Sequence, residues 1–197
     1  MADSINHSIT DFINQFKGGT RLNRFIVTGN IGKNTSGIQV TPFHIRSASI
    51  PEATTAPIGI NYRGRSVSYS GDRSYEPWQI TVLDDHSGAA NGSENLHKAF
   101  HDWQDRLNSH TKNTSDMDGV DPKSLWAVSW TVQHLNTNCN TTLPGRTFTL
   151  YNIWPVQVGP LALDMSQDNT LASFAVTLAY SHYTYDGAPI SNPPAQN

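Results

Sequence analysis

The stretch WAVSWTVQ, Trp126 to Gln133, sets Trp126, Val128, Trp130 and Val132 against Ala127, Ser129, Thr131 and Gln133 in strict alternation. Successive side chains of an extended strand point to opposite faces, so this period of two predicts a strand with an apolar face and a polar, uncharged one. The same device returns downstream. Pro144-Gly145 reads as a turn into Thr147 to Trp154, where Phe148 and Leu150 oppose Thr147, Thr149 and Tyr151. Phe174, Val176, Leu178 and Tyr180 then oppose Ser173, Ala175, Thr177 and Ala179. Upstream, Trp78, Ile80 and Val82 alternate with Gln79 and Thr81, and shorter runs around Phe25 and Val27 and around Phe43 and Ile45 read as short strands. Val67 and Tyr69 alternate with Ser66, Ser68 and Ser70 before Gly71-Asp72, which reads as a turn. Residues 51 to 64 carry Pro51 and Pro57 among small polar residues, a composition that suits a long connection better than a central strand.

Two segments have a helical period instead. Leu96, Phe100, Trp103 and Leu107 are spaced four, three and four apart, which predicts one interior helix over about 93–108, capped by Asn91 with Glu94 or by Ser93. Near the N-terminus Ile5, Ile9, Phe12, Ile13 and Phe16 share a stripe that ends at Gly18-Gly19, a short amphipathic arm. The expected fold is therefore mainly β, an antiparallel sandwich or barrel with one interior helix and a short N-terminal helical arm. Its organisation reads as an arm over 1–19, a β domain over 20–185 and a Pro-rich tail over 186–197.

Charge is scarce. Asp, Glu, Lys and Arg make up 15% of the 197 residues, against about 25% in an average globular domain, and the net charge is -3. With no basic run, the composition disfavours tight binding of phosphate backbones. The lone Cys139 leaves no partner for an intrachain disulfide. The opening MADSINHSITDF lacks the pattern of a secretory leader, and no run approaches a membrane span, so the expectation is a cytosolic product without a membrane partner.

Catalytic signatures are missing: there is no G-x-S-x-G elbow, P-loop or dinucleotide fingerprint. His97, His101 and Asp105 fall on successive helical turns, a geometry able to hold a metal, but the run HKAFH lacks the glutamate of a zinc protease site. Asp84-Asp85-His86 sits where a strand stops, and Asp is a favoured turn residue. The reading is a non-enzyme with no cofactor and no metal. Trp154 and the group Tyr62, Tyr69 and Tyr75 are the aromatics left for an exposed role, which keeps a carbohydrate-binding β-sandwich open beside self-association. The neutral strand faces lack the charges that blunt sheet contacts, so they read either as surfaces that meet another subunit or line a cavity or, equally on periodicity alone, as ordinary neutral sheet surface.

Four runs carry a family resemblance: YSGDRSYEPWQITVLDD (Tyr69–Asp85), LHKAFHDWQDRL (Leu96–Leu107), IWPVQVGPLALD (Ile153–Asp164) and TLASFAVTLAYSHY (Thr170–Tyr183). With the looser PFHIRSASIP (Pro42–Pro51), they resemble, in order and spacing, the tail tube family of T4-like contractile-tailed bacteriophages over most of residues 20 to 183. The resemblance implies a virion protein, assembled in the bacterial host cytoplasm. Six copies would form a ring, and rings would stack into a hollow tube inside a contractile sheath. Its partners would be itself, the sheath protein, a baseplate tube initiator and a tail terminator. Phage DNA would pass through the lumen without specific binding.

On this reading the lumen-lining candidates are Ser66, Ser68, Ser70, Ala127, Ser129, Thr131, Gln133, Thr147, Thr149 and Tyr151. The inter-subunit candidates are Ile9, Phe12, Phe16, Pro51, Pro57, Ile60, Tyr62 and Arg63. The chain departs from the family pattern in extra length around 29–38, 108–124 and the C-terminus, which also admits a baseplate tube-initiating paralogue or the tube ring of a related contractile injection system.

Overall fold

The computed structural model describes residues 9–16, 19–32, 39–84, 95–114, 128–136 and 142–185. The elements in chain order are α1 (Ile9–Phe16), β1 (Phe25–Asn30), β2 (Gln39–Val40), a 3-10 turn (Pro42–His44), β3 (Ile45–Ala48), β4 (Ala53–Tyr62), β5 (Arg65–Tyr75) and β6 (Trp78–Leu83). They continue with α2 (Leu96–Leu107), β7 (Val128–Leu135), β8 (Thr142–Val158), β9 (Ser173–Ala179) and β10 (His182–Tyr185). Seven strands run in the order β2-β1-β7-β8-β9-β6-β3, with β10 also on β8, and β4 and β5 form a separate two-stranded sheet. The pairings are antiparallel, as expected for a mainly β chain with alternating faces.

The alternation places the core. Trp130, Val132, Phe148 and Leu150 are buried on β7 and β8, and Trp78, Ile80 and Val82 pair with Leu178, Val176 and Phe174 to bury the same face of β6 and β9. Each such side chain contributes about 1.5–3 kcal/mol by leaving water. Trp78 and Trp130 meet edge to face at 6.1 Å, and their indole N–H groups donate to the carbonyls of Ser49 and Asn30 at 2.7 and 3.0 Å. Those bonds let these two indoles be buried without an unsatisfied donor.

The 17-residue β8 joins the two halves. Its first part pairs with β7 and β10 and its last part with β9. The register with β7 shifts between Val128 and Trp130, opposite Asn152 at φ +54°, so a bulge bends the strand there; asparagine tolerates this left-handed conformation. Helix α2 closes one mouth of the sandwich. Leu96, Ala99, Phe100 and Trp103 are buried, and the Phe100 ring lies 6.4 Å from Trp130 and 6.1 Å from Phe174. Its cap is Asn95, whose side chain accepts from the His97 N–H at 2.7 Å, while Asn91, Ser93 and Glu94 lie outside the described residues.

Four local expectations are corrected. Residues 51–64 are not a loose connection: Ala53–Tyr62 is a ten-residue strand paired to β5. The hairpin turns at Arg63-Gly64, both with positive φ, as a two-residue connection requires. Gly71-Asp72 is no turn but part of β5, at the register shift between Thr55 and Pro57, where a bulge accommodates the proline. Pro144-Gly145 likewise lies within β8, in the irregular stretch where Gln133 pairs with Thr147 but Leu135 with Thr142. Phe43 belongs to the 3-10 turn, and the strand begins at Ile45.

Candidate assembly surfaces

Three surfaces gather the residues singled out in the sequence. The first is the outer face of the β1–β7–β8–β10 half. Thr131 pairs with Thr149 and Gln133 with Thr147, which puts these four side chains, with Ser129 and Tyr151 further along, on the side opposite the buried Trp130, Val132, Phe148 and Leu150. Pairing extends the face to Thr28, opposite Thr131, and to His182, whose ring stacks on Tyr151 at 4.8 Å. The named side chains carry hydroxyls, an amide and two rings, and none is Lys, Arg, Asp or Glu. Thr28 and His182 were missed because their strands are short. Ala127, like Trp126, lies outside the described residues.

The β4–β5 hairpin is the second surface. Residues directly opposite in an antiparallel pair share a face. Ile58 opposite Tyr69, Ile60 opposite Val67 and Tyr62 opposite Arg65 therefore form one side, and Pro57 opposite Ser70, Gly59 opposite Ser68 and Asn61 opposite Ser66 form the other. Both sides are exposed almost along their whole length. So Ser66, Ser68 and Ser70 share a face with each other, but in a sheet separate from the one that holds Ser129, Thr131, Gln133, Thr147 and Thr149. At the tip the Arg63 guanidinium lies over the Tyr62 ring, 5.4 Å from its centre. At the base Pro51 is buried in its own chain.

That base is anchored by aromatic rings. Tyr75 meets Tyr180 and Tyr183, each at 5.7 Å, and the Tyr180 hydroxyl donates to the Glu52 carbonyl at 2.9 Å. Burial pushes the Tyr183 phenol up to about 12, helped by its hydrogen bond and charge coupling with Tyr185 and by Tyr180 and Tyr75. Burial, then Tyr75, likewise raises Tyr180.

The third surface is α1, where Ile9, Phe12, Ile13 and Phe16 are all exposed and the rings of Phe12 and Phe16 stack at 5.0 Å. The eight described residues of this helix present an apolar stripe to solvent, which makes it a candidate assembly surface.

The other candidates do not converge. His97 and His101 stack edge to face at 4.6 Å, but the Asp105 side chain accepts from the His110 backbone N–H instead of joining them. Among the described residues no group of three His, Cys, Asp or Glu is placed to hold a metal ion. Burial and then the neighbouring His97 and His110 lower His101, against the opposing charge of Asp102. Asp85, His86 and Cys139 lie outside the described residues. No described helix is long and apolar enough to cross a membrane.

Comparison with known proteins gives a consistent answer. Residues 17–186 match the family described as phage tail tube protein. The tail tube protein gp19 of Enterobacteria phage T4 is 24% identical over 72% of this chain and 79% of its own length. The tail tube protein of Serratia phage KSP90 is 27% identical over 68% of each chain. Among solved structures, a chain of the sheath–tube complex of an extracellular contractile injection system in its extended state superposes with a TM-score of 0.53 at 14% identity, covering 91% of this chain and 98% of that one.

Proposed function

The chain belongs to the phage tail tube protein family, and from that premise we propose that six copies close into a ring and that rings stack into the hollow inner tube of a contractile tail. As a tail tube protein it is a structural component of the virion. The single observation that carries the proposal is the β4–β5 hairpin, exposed on both sides with one apolar face and one serine face. An isolated two-stranded hairpin is marginal in water, and this one presents Ile58, Ile60, Tyr62, Val67 and Tyr69 with none of the described residues covering them. A neighbouring copy covers that side, joined by the apolar stripe Ile9, Phe12 and Phe16 and by Arg63 at the tip, while Pro57, opposite Ser70, lies on the serine side. Ser66, Ser68 and Ser70 then turn to the lumen and continue the neutral wall of Ser129, Thr131, Gln133, Thr147, Thr149 and Tyr151.

DNA passing such a wall meets hydroxyls and amides in place of cations, so no counterion-releasing contacts hold its phosphates. On the outside the tube meets the sheath, and at its ends a baseplate initiator and a terminator. The role is one of shape and surface, without a catalytic step. Negative-stain microscopy of concentrated protein tests it: hollow tubes of stacked rings are expected, and a chain that stays monomeric even when baseplates are added as nuclei contradicts the proposal. The fold shared with a contractile injection system supports a second reading, a tube ring of such a machine. Capsid genes next to a sheath gene distinguish the phage tail from it.

A further inference from the structure

Among the described residues the sandwich has two unlike ends, one of which is closed by α2. At the other, where β1 begins, β3 and β7 end, and β8 is just starting, an apolar slot of about 290 Å³ is lined by Leu22, Phe25, Ile50, Val132 and Phe148. On its polar rim two nitrogens of one ring are engaged. His134 donates from Nε2 to the Arg21 carbonyl at 2.9 Å and accepts at Nδ1 from Arg146 at 3.4 Å. The slot is at the small end of what ligand pockets occupy and has little polar lining to orient a small molecule, so it suits a single bulky apolar side chain.

The opposite end supplies one. Phe43 sits there, before β3, on the 3-10 turn and 87% exposed. The turn is held stiff: the Thr41 N–H and hydroxyl both bond His44 Nδ1, at 3.3 and 3.0 Å, and the His44 N–H donates to the Thr41 carbonyl at 3.1 Å. Leu163 and Leu171, in the connection from β8 to β9 at this same end, are also exposed. A head-to-tail arrangement of identical copies brings this end, with its exposed phenyl ring, against the slot end of the next.

We infer that, in the stack, Phe43 of one copy inserts into the slot formed by Leu22, Phe25, Ile50, Val132 and Phe148 of the next. This rests on the tube reading and specifies its axial contact. The hairpin leaves from the slot end, at the bond from Trp78 to Ser49, so both features belong to one junction between rings. The apolar side chains of α1 and of the hairpin tip are the competing occupants.

Within one chain, positions 43 and 50 lie at opposite ends of β3, roughly 20 Å apart along an extended backbone, far beyond the reach of a disulfide. A chain carrying Cys139→Ser, Phe43→Cys and Ile50→Cys therefore forms disulfides only between copies. Oxidised in assembled tubes, it is expected to give a ladder of multimers on a non-reducing gel. Tubes that give no ladder overturn the inference, as does a ladder from the pairs Phe12→Cys with Ile50→Cys or Tyr62→Cys with Ile50→Cys when 43 with 50 gives none. If the double-cysteine chain does not assemble, Phe43→Ala decides. It is expected to leave the melting temperature of the monomer unchanged and to raise the concentration needed for assembly by roughly tenfold or more, as loss of a buried aromatic anchor does; assembly at the unaltered concentration overturns the contact. If the unmodified chain forms no tubes with baseplates present, the tube reading fails, an outcome distinct from tubes that do not crosslink.

Discussion

At Gly29 the backbone of β1 lies flat against the Trp130 indole, and a methyl group placed there would come within 2.2 Å of the ring. Neither partner can move easily, because Trp130 is fully buried and its N–H is bonded to Asn30. Gly29→Ala is therefore expected to destabilise the monomer by about 1–3 kcal/mol, the range for overpacked cores, or to block folding; urea denaturation measures it. Tyr183 gives a second residue-level test. Its folded pKa lies above the unfolded value near 10, so its contribution to stability is whole below pH 10 and is lost as pH rises through about 12. Ultraviolet titration should show Tyr183, with Tyr180, ionising later than an ordinary phenol, and Tyr183→Phe should remove part of the loss of stability across that window.

Elements differ in how openly the sequence announces them. Strands β6, β7 and β9 and helix α2 were legible because each buries one face against the core, so burial writes its period directly into residues such as Trp130 and Val132 or Phe100 and Trp103. The β4–β5 hairpin was not legible. Neither of its faces is buried among the described residues, its turn is Arg63-Gly64 in place of the favoured Asn-Gly, and Pro57 and Gly71 mark one bulge that looks like loop. Apolar residues alternate there too, at Ile58, Ile60 and Tyr62, but on the proposed assembly the surface they answer to belongs to a neighbouring copy. Ile60→Asp with Tyr69→Asp should accordingly leave the thermal transition within about 0.5 kcal/mol of the parent chain, as surface changes do, while abolishing tubes in the microscope. Persistence of tubes with this pair would contradict the hairpin contact.

For the whole molecule, the neutral face was readable residue by residue, whereas its division between two sheets was not. Ser66–Ser70 and Ser129–Thr131 carry the same pattern, and nothing in a one-dimensional sequence says that one lies on the sandwich and the other on a projecting hairpin. The lumen reading predicts that Ser129→Lys or Thr131→Lys leaves tubes intact but slows DNA release, with the defect relieved by salt, since each added cation gives phosphates a counterion-dependent hold. Unaltered release in a phage ejection assay would remove these residues from the wall.

The unlike ends of the subunit have a last consequence. A ring closes on itself and so counts its own members, but a stack of rings that join slot to Phe43 repeats the same junction without limit. Nothing in such a junction records how many rings precede it. A tail of defined length built from this chain must therefore take its length from some other molecule, which acts as the ruler that the subunit lacks.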